Sequence, residues 1–124
     1  MTRLPEAELT VMRAVWRLTP PAATGEIHAL LEEERPWNLS ALQTLLSRLI
    51  QKGFLRGEKR GRQNAYTPLV EEGEYLAFEN RPFLRGRGLP GLVACLYESR
   101  SVTRKELEEL RAFLDRAIAG EEER

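Results

Sequence analysis

Apolar residues recur along this chain in short helical stripes that proline and glycine interrupt. In PEAELTVMRAVWRL, Leu9, Met12 and Trp16 stand at i, i+3 and i+7 with Val15 beside them, the spacing of one helix face. Pro5 suits the first turn of that helix, and Pro20-Pro21 ends it. TGEIHALLEEER carries a second stripe of Ile27, Leu30 and Leu31, with Thr24 as the expected N-cap, Glu26 in the first turn and Pro36 closing the helix. The third stripe, in PWNLSALQTLLSRLIQKG, is the most regular. Leu42, Leu45, Leu46, Leu49 and Ile50 follow i, i+3, i+4, i+7 and i+8, Asn38 or Ser40 can cap the start, and Gly53 suits the C-terminal cap.

The opposite face of that third helix is unusual. At about 100° per residue, Ser40, Thr44, Ser47, Arg48 and Gln51 point away from the leucines, with Gln43 and Lys52 at the flanks. It carries short hydrogen-bonding side chains and no acid, whereas a merely solvated face usually mixes Glu with Lys. After Gly53 the period changes. Phe54-Leu55 starts one strand and Ala65-Tyr66-Thr67 resumes another, with Arg60-Gly61-Arg62 as the turn. Three helices followed by a short hairpin, with a short segment joining the second and third, is the order of a winged helix-turn-helix.

Beyond the hairpin the pattern is helical but broken. Residues 71–85 read as a helix with Tyr75, Leu76 and Phe78 apolar, GRGLPG as a turn-rich connector, and LVACLYES as a short apolar helix. A final helix opens on a capping box, Thr103 to Glu106, and carries Leu107, Leu110, Leu114 and Ile118; Gly120 and EEER read as a frayed tail. This stretch is rich in large apolar side chains, yet a helical piece of this size buries too little surface to stand alone. It must pack on the first domain or on another chain; self-association is the reading adopted, with packing inside one chain as the alternative. The fold class is therefore mostly α with a small β-hairpin wing: a winged-helix domain over residues 1–70 and a helical dimerisation region over 71–124.

The composition, 42% hydrophobic and 31% charged in 124 residues, fits a soluble globular chain of one domain, or one domain with an appendage. No apolar run approaches a membrane span, and MTRLPEAELT has no signal-peptide core, so a cytoplasmic protein is expected. The formal charge is zero, but residues 1–70 sum to +3 and residues 71–124 to −3. Within 40–70 stand Arg48, Lys52, Arg56, Lys59, Arg60 and Arg62 against the single acid Glu58. Such sorting points to a basic working surface on one part of the chain.

Catalytic chemistry finds little support. There is one cysteine and one histidine. A disulfide within the chain is excluded, and no Cys/His zinc cluster, nucleophile–base pairing or glycine-rich phosphate loop is found. Glu32, Glu33 and Glu34 are neighbours in sequence, and adjacent helix residues do not face one another. Cys95, inside LVACLY, reads as a buried core thiol, His28 as a partly exposed helix residue, and Trp37 as a packing residue at the entrance to the third helix. No cofactor, no metal site and no enzymatic activity are expected.

The stretches AELTVMRAVW, WNLSALQTLLSRLIQKGFL, QNAYTPLV, LVACLYES and ELEELRAFL resemble the penicillinase-repressor transcriptional regulators, the BlaI, MecI and CopY type. The resemblance runs from about Leu4 to Leu114 and is most specific in TLLSRLIQKGFL and YTPLV. It implies a homodimeric repressor, with an N-terminal winged helix on operator DNA, C-terminal helices holding the dimer, and release by an inducing signal. Three positions depart from the family pattern. Ala41 stands where a threonine is common. Cys95-Leu96 stands where β-lactam-responsive members are cut at an Asn–Phe bond. Cys95 stands alone where copper-responsive members carry a C-terminal cysteine cluster. The upstream sensor or protease therefore stays unassigned.

The partners expected are double-stranded DNA and a second copy of the chain, with no membrane and with nucleoid association through DNA. Ser40, Gln43, Thr44 and Ser47 are the candidates to face base edges in the major groove, Gln43 by bidentate pairing with adenine. Arg48 would reach a phosphate or guanine, or else pair with a glutamate of the second helix. Thr24 and Asn38 would offer donors to phosphates near helix starts. Lys59, Arg60 and Arg62 would ride the wing tip against the sugar–phosphate backbone, the alternative being an ordinary solvated hairpin. Tyr75, Phe78, Leu92, Leu96, Leu107, Leu110 and Leu114 are assigned to dimerisation. The rival reading of the whole chain is a winged-helix protein-interaction module without specific DNA binding.

Overall fold

Helix α1 (Glu6–Arg17) turns Leu9, Val11, Met12 and Val15 inward. A two-residue strand β1 (Ala22–Ala23) leads directly into α2 (Thr24–Glu32), which buries Ile27 and Leu31. Helix α3 (Leu39–Gln51) buries Leu42, Leu46 and Leu49 in the same core. These follow the stripes that the spacing predicts, since a 3.6-residue period puts them on one side, but Val11 joins them, Trp16, Leu30 and Leu45 are only partly buried, and Ile50 is exposed. The computed structural model describes residues 1–124. Strands β2 (Leu55–Arg60) and β3 (Gln63–Pro68) form the hairpin, and β1 pairs with the other edge of β3, giving an antiparallel sheet of order β1-β3-β2. The fold is mostly helical with a small sheet, as expected for a winged helix.

Local chemistry corrects some boundaries. The residue before α2 is Ala23, not Thr24. Pairing of Ala22 and Ala23 with Tyr66 and Ala65 carries the chain in extended form up to the helix, so Thr24 is already the first helical residue. Glu26 closes back on the start of the helix, its carboxylate accepting from the Ala23 N–H at 2.9 Å. Asn38 caps α3, its Oδ1 accepting from the Ala41 N–H at 3.0 Å. At the far end of α3 the chain reverses at Gly53, φ +82°. The Phe54 N–H donates to Leu49 O at 2.9 Å and the Gly53 N–H to Ile50 O at 3.0 Å, which is the Schellman arrangement. Leu49 and Phe54 are both buried there.

The first compact unit, Met1–Glu79, includes most of α4 (Glu72–Asn80). Its reason is Tyr75, which is 0% exposed. The ring stands 5.6 Å from Phe54, 6.1 Å from Trp16 and 6.1 Å from Phe78, and its hydroxyl oxygen accepts from the Leu4 N–H at 2.7 Å. Tyr75 was expected on the dimerisation surface; it is instead closed inside the first unit, because an aromatic cluster and a backbone donor capture it. Phe78 is half-buried against the same core. Trp16 extends the seam, its Nε1–H donating to Val70 O at 2.9 Å.

The second unit, Asn80–Arg124, contains a 3-10 turn (Arg81–Leu84), α5 (Gly88–Glu98) and α6 (Arg104–Glu122). Helix α5 starts inside the expected connector. Gly88-Leu89-Pro90 forms its first turn, where proline forfeits no intrahelical bond. Helix α6 opens on the expected box: the Glu106 N–H donates to Thr103 Oγ1 at 3.1 Å, and the Thr103 N–H to Glu106 Oε1 at 2.9 Å. The Glu106 carboxylate accepts from both the Thr103 N–H and, at 3.1 Å, the Thr103 hydroxyl, and these two bonds lower its pKa from the usual carboxylate value. The helix continues through Gly120 to Glu122, so the expected tail is helical. No residue of α5 or α6 is buried. Cys95, expected in a core, is exposed, because the second unit covers α5 only in part, around Gly91, Leu92 and Val93, and buries none of it. Its Sγ accepts from Arg87 Nη1 at 3.2 Å. No helix is long and apolar enough to cross a membrane.

Burial holds the Tyr75 hydroxyl above its ordinary pKa of 10.0, and the Leu4 N–H bond opposes that rise only in part. The folded chain thus keeps a proton that the unfolded chain gives up, and stability falls as pH rises past about 10. Tyr75→Phe should remove that dependence. It should also cost about 1–3 kcal/mol at neutral pH by stranding the Leu4 N–H, as read by urea unfolding at pH 7 and pH 10.5.

Candidate nucleic-acid interface

The inner leucines of α3 fix what its outer face shows. Ser40, Ala41, Gln43, Thr44, Ser47, Arg48 and Gln51 all lie outside the core and are exposed. The Thr44 hydroxyl donates back to Ser40 O at 3.1 Å, which leaves its oxygen free to accept. Arg48 forms no ion pair, so the alternative of a bridge to a glutamate of α2 is not realised. No carboxylate belongs to this face, and it is a surface of short donors and acceptors with one free guanidinium.

The wing stands beside it. Arg60 pairs in register with Gln63, leaving Gly61-Arg62 as a two-residue turn. Gly61 has φ +67°, the conformation such a hairpin turn asks of its first residue. Lys59, Arg60 and Arg62 are exposed and enter no salt bridge. Glu58 is the only acid in the hairpin. Gly57 brings the wing close to α3: a Cβ there would lie 3.0 Å from Ile50 Cδ1. The half-exposed Ile50 is therefore a lid over the strand rather than a core residue.

Thr24 and Asn38 take different positions from one another. Thr24 sits where α2 meets the wing, its hydroxyl donating to Asn64 O at 3.3 Å. Asn38 spends its side-chain oxygen on the cap of α3, and the residue is exposed. Trp37 packs against the core, and its carbonyl is 2.8 Å from His28 Nε2. Arg35 lies over its ring at 4.5 Å.

Lys52 does not join this surface. Its Nζ is 2.7 Å from Oε2 of Glu8, the one buried charged residue of the chain. Sequence patterning does not pair the two, though a signal exists. Glu8, Val11, Met12 and Val15 stand at i, i+3, i+4 and i+7, so an acid occupies a core position of the first stripe.

Among known proteins, the model of the penicillinase repressor family matches residues 4–116. The chain belongs to the penicillinase repressor family. The penicillinase repressor of Bacillus licheniformis is 31% identical over 116 residues, covering 91% of this chain and 90% of that protein. The methicillin resistance regulatory protein MecI of Staphylococcus aureus (strain N315) is 28% identical over 113 residues, covering 89% and 91%. The solution structure of the DNA-binding domain of the repressor BlaI is 37% identical and aligns with 59% of this chain and 88% of that one, at a TM-score of 0.52. The solution structure of the Bacillus licheniformis BlaI monomeric form in complex with the blaP half-operator aligns at a TM-score of 0.50, with 36% identity over 60% of this chain and 89% of that one. The penicillinase repressor family is one of transcriptional repressors, not of enzymes.

The turn of the wing gives a direct test of its geometry. Gly61→Val forces a β-branched residue to positive φ, which costs about 1–3 kcal/mol. Nothing lies within 4 Å of the position a Cβ would take, so the cost is backbone strain alone. Hydrogen exchange should quicken at the amides of β2 and β3 near the tip, while the amides of α1 and α3 keep their protection.

Proposed function

We propose that the chain is a sequence-specific DNA-binding transcriptional repressor that acts as a homodimer on a palindromic operator and is released by an inducing signal. The observation that carries this reading is the acid-free outer face of α3 set beside an unpaired cationic wing, in a member of a repressor family. A relative with the same winged helix has been solved on a half-operator.

Helix α3 enters the major groove, where Ser40, Gln43, Thr44 and Ser47 meet base edges and Arg48 meets a phosphate or guanine. Lys59, Arg60 and Arg62 neutralise backbone phosphates, and Thr24 and Asn38 add neutral donors at the edges of that surface. The second unit supplies the dimer. Leu96 and Leu114 are exposed, and Leu92, Leu107 and Leu110 are half-buried. Phe113 at 56% and Ile118 at 55% exposure widen the apolar surface of α6. A second copy laid on these faces gives two winged helices related by a two-fold axis, hence a near-palindromic site with half-sites about one helical turn apart or a multiple of it. The residues of the first unit bind DNA and those of the second pair the copies.

Selection of bound duplexes from a random-sequence pool tests this. Recovery of a recurrent palindrome is the expected result; sequences with no common motif that vanish together as salt rises would leave only a non-specific basic module. With the selected duplex in hand, Arg60→Ala with Arg62→Ala should lower the slope of log affinity against log salt by about 1.8, at about 0.9 for each phosphate left without its cation. Both specific and unrelated duplexes should weaken alike. Gln43→Ala should instead cost about 1–3 kcal/mol at one base pair of each half-site and leave unrelated DNA untouched.

The dimer has its own measurement. Leu110→Asp places a charge in the apolar stripe of α6. Sedimentation at micromolar concentration should find a dimer for the wild-type chain and a monomer for the variant, with the circular dichroism of the winged helix retained.

A further inference from the structure

Glu8 is 2% exposed, and it sits on the inner face of α1 among Leu9, Val11 and Met12. A buried carboxylate needs a strong reason, since its desolvation is repaid only by close pairing. Its single partner is Lys52, at 2.7 Å. The other oxygen, Oε1, has no hydrogen-bond partner in the protein. The pair is thus not an optimised stabilising network; an apolar side chain would serve the core at least as well.

Its place in the fold is informative. Lys52 is the C-cap residue of α3, where the helix ends and the chain turns through Gly53 toward the wing. The Lys52 backbone N–H already bonds to Arg48 O at 2.9 Å. Its ammonium reaches inward to α1 instead of outward to solvent, and the side chain is only 33% exposed. The ion pair ties the end of α3 to the helix beneath it, at the junction between α3 and the strand that follows. Apolar packing is non-directional, whereas a short buried ion pair fixes both distance and direction.

We infer that Glu8 is a positioning residue for DNA recognition: through Lys52 it sets the angle between α3 and the wing, and Lys52 is held off the DNA. This rests on the DNA-binding reading above. Loss of the pair lets helix and wing adopt several relative settings, so base contacts and phosphate contacts no longer form together. Specific affinity suffers, because it needs both at once, while non-specific attraction, which needs only the charges of the wing, persists.

The test is a double-mutant cycle on the intact chain, using Glu8→Gln, Lys52→Met and the two combined. The probes are the palindrome selected by the wild-type protein and an unrelated duplex of equal length. Each single variant should bind the palindrome at least tenfold more weakly and the unrelated duplex within twofold of wild type, with an unchanged salt slope. The combined variant should be no weaker than the worse single, the signature of two groups acting as one unit. It leaves no buried charge unpaired, so it stays folded even if a single variant does not. A combined variant that keeps wild-type discrimination would overturn the inference and reduce the pair to a stability feature. A salt slope lowered by about 0.9 in Lys52→Met would overturn it too, by making Lys52 a phosphate contact. Should the wild-type chain bind neither probe, the DNA-binding reading fails, and the inference fails with it.

Discussion

Burial of three leucines on one side of α3 is the constraint from which the rest of the first unit follows. Leu42, Leu46 and Leu49 are each sealed in the core, and a helix so anchored cannot rotate without exposing them. One turn of a helix has a single outward direction for each remaining residue, so Ser40, Gln43, Thr44, Ser47 and Arg48 have no choice but to face out. The Schellman turn at Gly53 then stops the helix at a fixed residue and delivers the chain into β2. The wing is held from three sides: by β1 on the edge of β3, by the hydroxyl of Thr24 on Asn64, and by Ile50 against Gly57. A polar face and a cationic tip therefore become one surface through contacts made behind them, apolar packing together with strand pairing and a hydrogen bond.

The second unit has the opposite character. Its helices are well specified locally, with a full capping box at Thr103 and a helix end at Ser99-Arg100-Ser101 that closes even though Arg100 must take φ +61°. Its side chains have no interior to fill. Leu89, Leu96, Tyr97, Phe113, Leu114 and Ile118 are each at least 40% exposed, and apolar surface on that scale marks a contact with another molecule. On the proposed reading, one surface is finished in the single chain and the other is finished only by a second copy. The exposed Cys95 fits this division: the sequence places it in an apolar run, and that run is only partly covered within its own unit, at Leu92 and Val93.

Those contrasts explain how much of the fold is legible in the residues alone. Periodicity identifies α1, α2, α3 and α6 because each has one buried or apolar stripe, and glycine marks both the end of α3 and the turn of the wing. It misses β1 because a strand of two alanines has no period to detect. It misplaces Tyr75, since an apolar aromatic beside Leu76 and Phe78 looks the same whether it joins the preceding core or a partner. Only the Leu4 N–H and the Trp16 and Phe54 rings, distant in sequence, decide the matter. The outer face of α3 is legible because absence of acid along a helix face is a local property. The Glu8–Lys52 pair is not, since a separation of 44 residues carries no pattern.

The sorted charge links the two units into one scheme. On the proposed reading, a wing with three free cations attracts any duplex, and that attraction weakens steeply with salt. The acidic balance of residues 71–124 keeps the second unit from adding to it, so the non-specific pull stays confined to the reading surface. On the same proposed reading two copies pair, so that binding of the first half-site raises the effective concentration of the second winged helix at its own half-site, and the two affinities combine. A palindrome is then held far more tightly than a lone half-site, while random DNA gains less because it offers no second match. On that reading, control over the apolar helices of the second unit is control over occupancy of the DNA: separating the copies removes the second half-site's contribution without altering how α3 or the wing meets the duplex.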